Sequence, residues 1–115
     1  MTARQEFIHD IAETALYGGI GYWAQASQVG EWGNREQCRI VEFDEETGEP
    51  QGDGWNLLRA IRSGLAIAAE PSVSMNPTIR RDIVMSNRAN DGGGIDADAA
   101  DVIVQLGCFG RIVYG

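Results

Sequence analysis

The chain contains no lysine. All nine of its basic residues are arginines, set against seventeen acids for a net charge of −8. Positive charge is therefore present only as planar guanidinium forks, which suit bidentate contacts to carboxylate or phosphate. The missing lysine, together with abundant Ala, Gly and Arg, also fits a GC-rich coding sequence. So acidic a balance argues against direct binding to nucleic acid or to an anionic membrane. It permits a basic protein as partner, and plain solubility explains the same charge. Histidine is nearly absent as well. His9 stands among Arg4, Glu6, Asp10 and Glu13, on a face expected to be exposed. No motif places a Ser or Cys beside it, so it makes no general base. The two cysteines, Cys38 and Cys108, lie far apart in apolar surroundings with no second pair. That excludes a zinc ribbon and points to reduced core thiols rather than a disulfide. No apolar run approaches the length of about 18 residues that would signal a membrane span. The first residues, Met1 to Glu6, lack the charged-then-apolar layout of a signal peptide, so a cytoplasmic location is expected.

What is present suits one domain. The chain has 115 residues, 43% of them apolar, and fifteen glycines besides. By size it can bury roughly two-thirds of its unfolded surface. The densest apolar stretch is the last, Asp96 to Tyr114. It reads as an acidic-headed helix broken at Gly107, then a terminal strand from Cys108 to Tyr114 that pairs with or packs on the sheet. At the other end, Thr2 and Gln5 have capping-box form. Phe7, Ile8, Ile11, Ala12, Ala15 and Leu16 then make one stripe of a helix over 3–17. Gly18 and Gly19 end it, one of them in a left-handed conformation.

Alternation predicts a strand over Ile20 to Val29, a loop from Gly30 to Glu36 holding Trp32, and a second, antiparallel strand over Gln37 to Asp44. Glu45 to Pro50 reads as a turn that Gln51-Gly52-Asp53-Gly54 extends. Asn56 caps a helix over Leu57 to Ala69, with Leu58, Ile61, Leu65 and Ala68 inside. Gly64 in its middle implies a close approach by another element, since Gly otherwise costs a helix about 1 kcal/mol against Ala. Asn76-Pro77 starts a further helix. Asn90 to Gly94 reads as a flexible loop. The resulting fold class is α+β: three or four helices packed on a small antiparallel sheet.

Several motifs dissolve on inspection. Gly19-Ile20-Gly21-Tyr22-Trp23-Ala24 has the G-x-G-x-x-A spacing of a dinucleotide site, but it follows a helix and opens a strand, the reverse of what phosphate binding needs. Asp96, Asp98 and Asp101 lack the spacing and closing Glu of a calcium loop, and serve instead as acids at a helix head. Neither a metal nor any other cofactor is implied.

Two features remain. Glu42, Asp44, Glu45, Glu46, Glu49 and Asp53 crowd six carboxylates onto a hairpin end. They are either a solvated turn or the contact for a basic partner. Trp23, Trp32 and Trp55, with Tyr22, bracket the same hairpin, as core or as a stacking groove; Trp23 is the one expected in the core. In the groove reading Trp32 and Trp55 take an aromatic ring while Arg59, Arg62, Arg80 or Arg81 receives phosphate.

Gly18 to Ala24 after an N-terminal helix, and Asp98 to Gln105 leading into Phe109-Gly110-Arg111-Ile112-Val113-Tyr114-Gly115, resemble a group of small uncharacterised proteins of actinobacteria and their bacteriophages. The resemblance covers the two ends and about a third of the chain. It implies a phage-associated accessory protein that acts by occupying a host component, and it carries over no catalytic residue. The expectation is therefore a non-enzymatic binding protein, of accessory or anti-defence type, whose acidic surface occupies a basic partner. A small-nucleotide sponge using tryptophans and arginines is the first alternative, and a small enzyme the second.

Overall fold

The structure is a computed structural model that describes residues 1–28 and 35–115. Trp32 and most of the loop around it lie outside the described residues. Four helices pack on a three-stranded antiparallel sheet, an α+β fold. Among the described residues no helix is long and apolar enough to cross a membrane.

Helix α1 spans Ala3–Thr14 and starts as its capping box dictates. Thr2 Oγ1 accepts from the Gln5 amide at 3.1 Å, and Gln5 Oε1 accepts from the Thr2 amide at 2.9 Å. Phe7, Ile8, Ile11 and Ala12 are buried along its inner stripe, while His9, expected outside, is half-buried with Nε2 3.8 Å from Glu36. The helix then widens into a π turn over Ala15–Gly19. Neither Gly18 nor Gly19 is left-handed. Their use is close approach: a Cβ on Gly19 would lie 3.0 Å from the Ala97 carbonyl oxygen. The expected strand also starts later than its alternation suggests. The Trp23 and Ala24 amides both donate to the Ile20 carbonyl at 3.0 Å, which makes residues 20–23 a turn. That turn sends Tyr22 outward and Trp23 inward.

Strands β1 (Ala24–Gln28), β2 (Arg39–Phe43) and β3 (Pro50–Asn56) form the sheet in that order. The third strand corrects the expectation of an extended turn over residues 51–54. Gly52 and Gly54 adopt φ of 76° and 74°, and the pairing with β2 slips between Ile40 and Glu42. Glycine that looks like turn chemistry is here a bulge inside a strand. A Cβ on Gly54 would run into the Ile40 carbonyl. Arg39 fills the donors that the bulged ladder lacks: its Nη2 donates to the Asp53 carbonyl at 2.8 Å and to that of Gly54 at 3.3 Å.

Helices α2 (Leu57–Ala68), α3 (Pro77–Ala89) and α4 (Ala97–Phe109) complete the chain's helical layer. Each begins at the expected cap. Asn56, Asn76 and Asp96 accept from the amides of Arg59, Ile79 and Ala99 at 3.0, 3.1 and 2.8 Å. The segment after α3 is no slack loop. Asn90 is left-handed, and Asp91 closes a 3-10 turn over Gly92–Gly94 by accepting from the Gly93 amide.

Helices α2 and α4 cross at two glycines. A Cβ on Gly64 would collide with the Ile103 carbonyl oxygen, and one on Gly107 with that of Ala60. Gly107 therefore does not break α4, as the sequence suggests; it lets α4 seat on α2. The helix stops at Gly110, which is left-handed with φ 73°. Beyond Gly110 the chain is an irregular tail outside the sheet, not a terminal strand. Ile112 and Val113 are exposed, and only Tyr114 packs inward.

Candidate binding site

The backbone of the tail is held by Gln105. Gln105, fully buried in α4, accepts from the amides of Val113 and Tyr114 at 2.8 Å each through Oε1. Its Nε2 donates to the Tyr114 carbonyl at 3.2 Å and to Asp101 Oδ1 at 2.9 Å. The primary amide thus treats the tail as a neighbouring strand would. Asp101, one helical turn earlier, also accepts from Trp23 Nε1 at 2.8 Å and from the Tyr22 hydroxyl at 2.5 Å. Of the three acids expected to serve the helix head, Asp96 is the cap and Asp98 lies in the first turn, while Asp101 forms this inner network.

Tyr114 is thereby laid over Trp23. The two rings stack at 5.4 Å with planes 10° apart. Phe109 meets Trp23 at 5.4 Å and Trp55 edge-on at 5.2 Å. Trp23 is core, as expected. Trp55 is half-buried, and Tyr22 is 57% exposed. The Tyr114 hydroxyl donates to Glu42 on β2, which ties the tail to the sheet. Both phenols are pushed up to about 12, Tyr22 by burial and then by Asp101, Tyr114 by its bond to Glu42 and then by burial. Cys108 nearby is also pushed up to about 12, by burial and then by Glu42, so its thiol stays protonated and a poor nucleophile. It is not joined to Cys38.

Beside these rings lies a groove of about 470 Å³, lined by Tyr22, Trp23, Phe43, Asp44, Glu45, Gly48 and Tyr114. Its volume falls within the range of about 300–1,000 Å³ usual for ligand sites. One rim is the turn between β2 and β3, where the acidic run sits. The six acids divide there. Glu42 holds Tyr114, and Asp44 folds the turn by accepting from the amides of Glu46 at 2.8 Å and Thr47 at 3.1 Å through Oδ1. Glu45, Glu46 and Glu49 are exposed at the tip. Asp53 is exposed further along β3, where its carbonyl takes Arg39. The run is thus a turn-former at its base and an open charged tip beyond.

The residues that the sequence suggests for a stacking site are only partly together. Trp55 and Arg59 share a hollow of about 300 Å³ with Arg39, Asn56 and Ser63. Arg62 is exposed elsewhere on α2 and does not line that hollow. Arg80 is turned onto the Pro71 and Val73 carbonyls, holding the α2–α3 connection. Tyr22, which the sequence groups with the tryptophans, does line the groove, whereas sequence reasoning does not find Phe43, Tyr114, Asp101 and Gln105 as site residues. A signal for the last pair exists: two polar residues four apart on the apolar stripe of α4. Among the described residues, no group of three or more His, Cys, Asp or Glu side chains is placed to hold a metal ion. Comparison with protein-family models, with curated proteins and with solved structures found no match.

Proposed function

We propose that the protein is a non-enzymatic binding protein that occupies a basic protein partner through the tip of its β2–β3 hairpin. The observation that carries this reading is the position of Glu45, Glu46 and Glu49: exposed, of one sign, and on the turn whose Asp44, Glu45 and Gly48 line an aromatic groove. Carboxylates in such a place steer a cationic surface toward contact, while the groove offers apolar area once contact is made. With the resemblance at the two ends of the chain, the reading extends to a phage-type accessory or anti-defence protein that blocks a host component in the cytoplasm.

The test is affinity capture by the wild type and by the triple variant Glu45→Gln, Glu46→Gln, Glu49→Gln. The variant keeps Asp44, so the turn stays closed. The wild type is expected to retain its partner at low salt and to lose most of it as salt rises from about 50 to about 300 mM, where surface charges are screened. The variant retains little at either salt. Equal retention by both proteins at both salts contradicts the proposal.

A second reading, the small-nucleotide sponge, rests on the hollow that Trp55 shares with Arg59 and Arg39. Arg39 is already bonded to the Asp53 and Gly54 carbonyls, which leaves Arg59 as the main phosphate donor. This reading requires a nucleotide to quench tryptophan emission saturably.

A further inference from the structure

The groove beside the acidic tip has a chemistry of its own. Tyr22, Phe43 and Tyr114 give it aromatic walls, Asp44 and Glu45 stand at its mouth, and no basic residue is among the described residues that line it. We propose that this groove receives the guanidinium of an arginine carried on an extended basic segment of the partner. The inference rests on the reading that the hairpin tip is the partner-binding surface, and it names what that surface recognises.

Three observations select a cation. First, an anion would meet two carboxylates and no donor side chain of opposite charge. Second, an apolar side chain would cover Asp44 and Glu45 without replacing their water, which is costly. Third, the tyrosine rings are themselves polarised. The Tyr22 hydroxyl donates to Asp101 and the Tyr114 hydroxyl to Glu42. Each carboxylate draws the phenolic proton and pushes electron density back toward the ring, which strengthens the attraction of a cation to the ring face.

The choice of guanidinium over ammonium comes from shape. A planar cation stacks on a flat ring while its edge forks to carboxylate, which a compact ammonium cannot do at once. The mouth has the acceptors for it. Asp44 uses Oδ1 for the turn, and Oδ2 has no hydrogen bond among the described residues. Glu45 makes none there either. A fork laid against the Tyr22, Phe43 or Tyr114 ring can meet these oxygens at the rim.

The experiment is a titration of the isotope-labelled protein with three peptides of sequence Gly-Gly-X-Gly-Gly, where X is arginine, lysine or citrulline, read by two-dimensional NMR. Citrulline keeps the planar shape and removes the charge. The arginine peptide is expected to shift the resonances of Tyr22, Phe43, Asp44, Glu45 and Tyr114 saturably. The lysine peptide binds several-fold more weakly, and the citrulline peptide leaves the spectrum unchanged. Asp44→Asn with Glu45→Gln, in which the asparagine keeps the oxygen that closes the turn, weakens the arginine peptide by about tenfold, a loss of the size expected when a charge-assisted bond goes. The wild-type peptide series stands alone if the double variant fails to fold. Equal binding of arginine and lysine peptides, with shifts confined to residues 45–49, overturns the groove site while the acidic-tip reading stands. So does binding of the citrulline peptide, or no shift at millimolar arginine peptide. Loss of the acidic-tip reading shows itself separately, as partner capture indifferent to the triple glutamine variant.

Discussion

Gln105 carries more of this structure than any other polar residue. It is fully buried, and its amide satisfies two tail amides, one tail carbonyl and Asp101. Replacing it with an apolar side chain of similar length strands those groups together. Gln105→Met is therefore expected to lower stability by about 2 kcal/mol, the cost of leaving buried polar groups without partners. It should also free Tyr114 from Trp23, visible as a red shift of tryptophan emission at denaturant concentrations well below the unfolding midpoint. Unchanged stability and emission would mean that ring packing and the Tyr114–Glu42 bond hold the tail without Gln105. This part of the site is only half legible in the sequence. The core role of Trp23 is readable by contrast with Trp32 in an expected loop and Trp55 at an expected helix start, positions that more often face solvent. The inward turn of Asp101 and Gln105 is not, because acids near a helix start have a sufficient local explanation in the helix dipole. Only the tertiary partners of Asp101, Tyr22 and Trp23 from the turn before β1, distinguish the two roles.

At the level of elements, what is encoded locally is readable and what depends on distant partners is not. The caps at Thr2, Asn56, Asn76 and Asp96 are local hydrogen-bond chemistry, and each sits where its helix begins. Strand β3 escapes the sequence because Gly52, Asp53 and Gly54 carry turn chemistry, whereas the positive φ that the two glycines supply serves a bulge that only β2 reveals. The terminal strand is a false expectation of the same kind. Val113 and Tyr114 have β-forming side chains, but their amides find a glutamine rather than a strand edge. Gly64 is legible in outline: a mid-helix glycine implies close packing, and α4 is the element that packs there. Gly64→Ala tests that contact. Helix propensity alone would favour alanine by about 1 kcal/mol. The clash with the Ile103 carbonyl outweighs this, and a net loss of about 2–3 kcal/mol is expected, as for overpacking against backbone that cannot easily move. Denaturant unfolding measures it, and a gain in stability would show that α2 and α4 sit further apart.

Across the whole molecule, charge and shape divide the surface unevenly. The core joins one face of the sheet to α1, α2 and α4, with Ile83 of α3 also among its buried residues, while the exposed tip of the β2–β3 hairpin gathers Glu45, Glu46 and Glu49. Helix α3 carries the opposite sign in Arg80, Arg81 and Arg88, and packs on α2 rather than on the hairpin. Acidic charge is thus concentrated where an aromatic groove is also open. Composition alone is compatible with a basic partner and with plain solubility; the joining of the acidic tip to the groove needs the tail, whose Tyr114 forms one wall. The central claim is that the partner sits on this end of the molecule. A photo-crosslinking residue placed singly at Glu49 and at Arg81 tests it most directly, since both positions are exposed and neither makes a hydrogen bond that shapes the fold through its side chain. Under illumination in lysate, position 49 is expected to join covalently to one basic protein, with a yield that added arginine peptide reduces, while position 81 does not join to it. Crosslinking of that protein from position 81 alone, or equally from both, would contradict the claim.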